Sequence, residues 1–330
     1  MSREVEQKNS SGRRVDMIAL SPKVRPAPLA PIAMESSSSI SDRQYLIYTV
    51  KAVVGTFKTH NPSWLPLGSN VKITYNGKAV GLGESLWKTL SSISSEEIFA
   101  DPISGYGILY GIMEETGKTG KETGILALAV RVEKKQITGI EMIVGHKPEG
   151  WEEGLDVAEC LKAGKPALWK PQAMSQLMPP LNTVVEPARR SSRDDMVAIA
   201  HSYWEGLEMH DSSVVLADPK SDRYEQGVCT TRTPGMPDPA GCDRTPDKFP
   251  WIKVVRNRRY LLVDEERGIV VCHVFLDTPP GYYPPDAPTV ERPPKSVLIS
   301  ELFKIYDGKI QQIIAILDME PFGVLSGWEE

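Results

Sequence analysis

Apolar residues recur along this chain with two periods, and each period marks a kind of element. In "SDRQYLIYTVKAVVGTFKTHN", Leu46, Val50, Val53, Val54 and Phe57 fall at helical spacing behind a capping residue at Ser41 or Asp42. A Pro-containing linker follows, then strand-like "VKITYNGKAV", a short helical stretch in "GESLWKTLS", and strands around "EEIFA", "YGILYGIMEE" and "GILALAVRVE". "VEKKQITGIEMIV", Val132 to Val144, reads as a hairpin: apolar, a polar turn, apolar again. Residues 147–189 break the pattern. They are rich in Pro and Gly, with one helical stretch at Leu155–Ala163, and a connector of this length is expected to lie across the surface of whatever it joins. The pattern then restarts with a helix in "SRDDMVAIAHSYWEGLEMHD" and ends with a second hairpin, "IYDGKIQQIIAIL", Ile305 to Leu317.

The two halves superpose as sequences. An offset of 150 brings Leu46 onto Met196, Val50 onto Ala200, Val53 onto Tyr203, Val54 onto Trp204, Phe57 onto Leu207, His60 onto His210 and Gly77 onto Gly227. At the terminal hairpins the offset has grown to 173, so the second copy carries a net 23 extra residues. Two loops accommodate them, "CTTRTPGMPDPAGCDRTPDKFP" and "TPPGYYPPDAPTVERPP". The chain therefore reads as two domain-sized copies of one α+β unit, at 41–146 and 190–330.

Composition changes this picture at one end only. Residues 1–40 are rich in Ser, Pro and charge and read as a disordered tail. The net charge of −5 gives nucleic-acid binding no electrostatic support, and no apolar run approaches membrane-spanning length. The first residues lack the apolar core of a signal peptide, so the expected location is cytoplasmic. Cys160, Cys229, Cys242 and Cys272 show no zinc-like spacing. Cys229 and Cys242 flank a Pro/Gly-rich loop and could bridge in an oxidising compartment; in a reducing one they stay free thiols.

The order of long helix, short strands, short helix and long strands resembles the nuclear transport factor 2-like superfamily, also called SnoaL-like or ketosteroid-isomerase-like. "HNPSWLPLGSNVKITYNGKAVGLGESLWKTL" is similar to the superfamily's first hairpin region. "YLLVDEERGIVVCHVFLD" and "SVLISELFKIYDGKIQQIIAILDMEPFGVLSGW" are similar to its terminal strands. The second copy most resembles a fungal group with a "VDEERG" turn and a "P…SGW" ending, here Pro321 to Trp328. The resemblance implies two tandem cones, each a curved antiparallel sheet wrapped on helices, paired as an internal pseudo-dimer. It implies an apolar pocket that works with acid/base side chains and without metal or organic cofactor. Further self-association would follow the family habit of pairing through the outer sheet face.

Candidate chemistry lies where the second copy departs from the first. "IVVCHVFLD" places Val271, His273, Phe275 and Asp277 on one face, and "SVLISELFKI" places Ile299, Glu301, Phe303 and Ile305 on one face. His273 is either an acid/base residue or an imidazole satisfied at the contact between copies. Glu301 is either a pocket carboxyl or the partner of Arg256, Arg258 or Arg259. Arg223 and Glu225 in "DRYEQG" replace Ile73 and Tyr75, and Tyr203 replaces Val53. Tyr203 is a candidate donor to an oxyanion, and core packing is the competing account. Phe275, Phe303 and Trp251, with Tyr110 and Trp87 of the first copy, are candidate lining for an apolar small molecule; the Tyr110 face equally suits packing between copies. His60 and His210, matched at the ends of the two helices, read as structural. The expected function is an isomerase, dehydratase or cyclase, the last by a pericyclic route or otherwise, of fungal secondary-metabolite biosynthesis. The alternatives are a non-catalytic binding module and a scaffold with filled pockets.

Overall fold

The computed structural model describes residues 43–117, 120–153, 159–160, 163, 166–232, 240–283, 291 and 293–329. The expected tail, the caps at Ser41 or Asp42 and most of the expected helix at Leu155–Ala163 lie outside these residues.

The first copy runs α1 (Arg43–Thr59), β1 (Leu67–Tyr75), β2 (Lys78–Ala79), α2 (Leu86–Thr89), β3 (Leu90–Asp101), β4 (Tyr106–Gly117), β5 (Gly120–Glu133) and β6 (Gln136–His146). A helix in the connector, α3 (Met174–Leu181), precedes the second copy: α4 (Arg193–Met209), β7 (Ala217–Glu225), β8 (Val228–Cys229), β9 (Val254–Asp264), β10 (Ile269–Thr278), β11 (Lys295–Tyr306) and β12 (Lys309–Pro321). Each copy builds a six-stranded sheet, in the orders 2-1-6-5-4-3 and 8-7-12-11-10-9. This is the tandem α+β architecture the resemblance implied. Pairing is antiparallel except where β1 joins β6 and β7 joins β12, which are parallel.

Equivalence between the copies extends to single residues. Lys134–Lys135 and Asp307–Gly308 turn the terminal hairpins with positive φ at both positions, as do Asn76–Gly77 and Gln226–Gly227 in the short hairpins. Two-residue turns of this type match the right-handed twist of the flanking strands. Both long hairpins carry a register shift at the same place, Arg131/Val132 and Lys304/Ile305. His60 and His210 each terminate their helix in the left-handed region, with φ 53° and 54°, which places them where a structural role was expected. Ser192 caps α4 by accepting the Asp195 N–H at 3.3 Å, and Asp194 and Asp195 complement the positive helix end.

Each long helix packs in the concavity of its own sheet: Leu46, Val50 and Phe57 in the first copy, Met196, Tyr203 and Trp204 in the second. The opposite faces of the two sheets pack on each other around Ile108, Tyr110, Ile125, Val271, Phe275 and Leu302. Arg43 of α1 reaches Asp264 of the second copy at 2.6 Å, and Arg193 of α4 reaches Asp101 of the first at 2.6 Å. These reciprocal pairs, each joining the start of a helix to the end of β3 or β9, are the mark of a two-fold contact built within one chain.

The connector does more than cross the surface. Met174, Met178 and Leu181 of α3 are buried in the core between the sheets. Asn182 donates to Glu97 of β3 and accepts from Arg267 of the β9–β10 turn, at 2.9 and 2.8 Å. Lys304 of β11 donates to the carbonyls of Leu181, Thr183 and Arg267, covering the exposed end of α3. Among the described residues no helix is long and apolar enough to cross a membrane.

Candidate active site in the second copy

Register across the second sheet sets the site. Cys272 of β10 faces Glu301 of β11, Glu301 faces Ala315 of β12, and Ala315 faces Glu225 of β7. One step along, Val270, Phe303, Ile313 and Arg223 form the neighbouring row. Both rows point into the concavity filled by α4. Glu301 and Glu225 are thus two strands apart, roughly 10 Å at the backbone, with Ala315 on the strand between them.

Arg223, 3 % exposed, is the most heavily bonded side chain there. Its Nε donates to Thr230 at 3.0 Å, and its Nη1 donates to the Tyr203 hydroxyl at 3.0 Å and to Thr245 at 3.1 Å. Its Nε lies 3.2 Å from the Glu225 carboxylate, and its guanidinium stacks 4.7 Å from the centre of the Phe249 ring. Tyr203 stands edge-on to Trp204 and Phe303. Burial raises its phenol further above the normal range, with Arg223 pulling the other way. Trp251 packs on Phe249, 5.0 Å between ring centres.

Glu301 differs from every other acid in this interior. It is 2 % exposed, and no hydrogen bond or ion pair reaches its carboxyl among the described residues. Burial pushes its pKa up to about 8; Arg223 offsets part of this and Glu225 adds to it. The carboxyl is therefore protonated at neutral pH, while Glu225 is held as the counter-ion of Arg223. A buried carboxyl with a raised pKa beside one paired with an arginine is an acid/base arrangement. Cys242 sits in the same interior, its thiol pushed up to about 12 by burial, and is not a nucleophile in that state.

Tyr203, Arg223, Glu225, Glu301, Phe303 and Trp251 therefore meet in one place. The other four candidates do not. His273 and Phe275 lie on the opposite face of β10, in the core between the two sheets. The His273 Nδ1 is 3.1 Å from Glu141 of the first copy, which also takes Arg259 at 2.7 Å. Tyr110 occupies the position equivalent to His273 and shares a 2.7 Å hydrogen bond with Ser300 of the second copy. Strand alternation put these side chains on apolar faces but does not say which apolar face is concave. Trp87 fills the interior of the first copy, its indole donating to Thr56 at 3.0 Å and its ring edge-on to Phe57. The strand arginines proposed as partners of Glu301 go elsewhere: Arg256 to Asp277, Arg258 to Glu208, Arg259 to Glu141.

The first copy has no equivalent cluster. Its matching row reads Leu109, Leu128, Met142 and Tyr75. Sequence reasoning missed Thr230, Cys242, Thr245 and Phe249. All four come from the first extra loop of the second copy, so the length difference itself was the signal. A surface cleft of about 350 Å³ beside Trp151, Trp169 and Lys170 of the connector includes none of the cluster. Among the described residues no group of three or more His, Cys, Asp or Glu is placed to hold a metal ion. Cys160, Cys229, Cys242 and Cys272 form no disulfide among the described residues.

A family described as a domain of unknown function (DUF8021) matches residues 189–317. No curated protein matches the chain. Solved structures that it resembles include PrhC from Penicillium brasilianum, 15 % identical over 39 % of this chain and 83 % of that one with a TM-score of 0.26. AusH from Aspergillus nidulans is 14 % identical over 38 % of this chain and 86 % of that one, with a TM-score of 0.25.

Proposed function

We propose that the second copy is an acid/base enzyme that isomerises, dehydrates or cyclises an apolar small molecule in fungal secondary metabolism. One observation carries the reading: the buried Glu301 carboxyl, which no hydrogen bond or ion pair reaches among the described residues, shares a concave face with the ion-paired Glu225. In this scheme Glu225 removes a proton from a carbon next to a carbonyl, and the bonding pair moves onto the carbonyl oxygen. Glu301 gives its proton to that oxygen, or to a departing hydroxyl that leaves as water. Return of the Glu225 proton to a different carbon, with reprotonation of Glu301, completes an isomerisation. Tyr203 positions Arg223, and Arg223 holds Glu225 at the rim. Phe249, Trp251 and Phe303 supply the apolar walls that strengthen these charges by excluding water.

The test is exchange of the α-protons of neutral aryl ketones in deuterium oxide, followed by proton NMR with the full chain. Glu301→Gln and Glu225→Gln are each expected to slow exchange by about 10²–10⁴-fold, the usual worth of one positioned acid or base. Exchange unaffected by either substitution rejects the proposal. Ketone binding with no exchange at all supports a binding module instead.

A further inference from the structure

The connector borders a cleft of about 350 Å³, apart from the chamber around Glu301. Trp151 and Trp169 line it, with Thr123 of β5 and the exposed residues Glu153, Lys170 and Gln172. Its walls are held in place before any guest arrives. Trp169 is buried in the core between the sheets. The Lys170 N–H donates to the Gln226 carbonyl at 2.9 Å, which pins the connector to the β7–β8 turn. Gly227 of that turn permits the approach, since a Cβ there would stand 2.1 Å from the Lys170 carbonyl oxygen. Such a cleft loses little by ordering itself around a ligand. Its polar groups are unspent. Among the described residues neither indole N–H donates to anything, and the side chains of Glu153, Lys170 and Gln172 hold no partner. The Thr123 hydroxyl donates to Glu114 at 2.8 Å and keeps its lone pairs for accepting.

We propose that this cleft binds a neutral sugar ring, at the end of a glycan or on a glycosylated small molecule. The proposal does not depend on the acid/base reading of the second copy. The charges decide that the guest is neutral. An anion would lie beside Glu153. A cation would lie beside Lys170 and near Lys147, whose ammonium sits 6.0 Å from the centre of the Trp151 ring. The mixed lining decides that the guest is a polyol ring. A wholly apolar guest would strip water from Glu153, Lys170 and Gln172 and return no hydrogen bond. A pyranose carries C–H faces that rest on an indole and, around its rim, hydroxyls that both donate and accept. Those hydroxyls donate to Glu153 and Thr123, and accept from Lys170, Gln172 and the indole N–H groups. The cleft is near the lower end of the volumes that hold small molecules, which suits one or two such rings.

The test is titration of the full chain followed by saturation-transfer NMR, with the thermal melt reporting the fold. Cellobiose, maltose, lactose and N,N′-diacetylchitobiose represent glycan ends. The p-nitrophenyl β-glucoside represents a glycosylated small molecule, its β-glucuronide adds a charge, and p-nitrophenol is the aryl ring alone. At least one neutral sugar is expected to bind through its ring C–H protons. A disaccharide that binds supports the glycan source, and binding of the glucoside alone supports the small-molecule source. Trp151→Ala is expected to weaken that binding about tenfold by removing one indole wall. Glu153→Gln alters only an exposed side chain, so it keeps the test open if the tryptophan variant does not fold; a loss of about threefold is expected. The proposal is overturned if no neutral sugar binds, or if the glucuronide binds more tightly than the glucoside. It is also overturned if p-nitrophenol matches the glucoside while no disaccharide binds, or if affinity is unchanged in the folded variants.

Discussion

Glu301 shows how one buried residue trades stability for a usable protonation state. Its folded pKa of about 8 lies above the ordinary carboxyl value of 4.5. Between these limits the folded chain keeps a proton that the unfolded chain has lost, so stability falls as pH rises through the window and levels off above it. The slope from this residue is ~1.4 kcal/mol per pH unit. Glu301→Gln is expected to abolish that slope, so that wild type and variant diverge in favour of the variant from about pH 5 to 8; urea denaturation at five pH values measures it. The same proton sets activity. Proton donation by Glu301 predicts that exchange declines above about pH 8, and a rate still rising there contradicts the assignment.

The two-residue turns belong to local sequence: Asn76–Gly77, Gln226–Gly227 and Asp307–Gly308 place residues that tolerate positive φ between alternating strands. Lys134–Lys135 is the exception, and there the flanking strand pairing imposes a conformation the residues do not favour. Helix α3 owes nothing to a capped periodic pattern. It contains Pro179 and Pro180 and is too short to persist alone. Burial of Met174, Met178 and Leu181 and the three carbonyl contacts of Lys304 hold it in place. Met178→Ala is accordingly expected to cost about 2–5 kcal/mol and to be felt by the whole molecule, since the cavity opens between the two sheets. A melt shifted only slightly argues that α3 is an ornament.

Across the whole molecule, the contact between copies combines a large apolar core with a few buried charges. Burial alone would raise the Glu141 carboxyl, but the neighbouring His273 and Arg259 outweigh it and hold the pKa down at about 2. A depressed folded pKa stabilises above the ordinary value and is lost as pH falls from about 4.5 towards 2. Glu141→Ala leaves Arg259 without its counter-ion and is expected to cost about 3–5 kcal/mol at pH 7. It is also expected to reduce the loss of stability between pH 4.5 and 2, read from denaturation curves across that range. A variant as stable as wild type at pH 7 shows that the triad adds nothing to the pairing of the copies. The Arg43–Asp264 and Arg193–Asp101 pairs repeat one contact at two places, so the copies meet as a symmetric pair rather than as beads on a linker.

Periodicity, turn residues and the 150-to-173 offset determined the element order, the tandem repeat and the second copy as the place where polarity enters. These are local properties, written in spacings of two, three and four residues. The same spacings could not separate the concave face of a strand from its convex face when both are apolar. In β10, Val270, Cys272 and Val274 go inward while Val271, His273 and Phe275 go to the partner copy, and both sets read alike. Tertiary structure alone decided this, because burial of both faces removes the polar signal that marks an outside. It also decided that Glu301 pairs across to Ala315 and lies near Arg223 rather than beside Arg256, Arg258 or Arg259. That choice depends on registers among β7, β10, β11 and β12, with Glu225 and Ala315 90 residues apart in the chain, which no local pattern records.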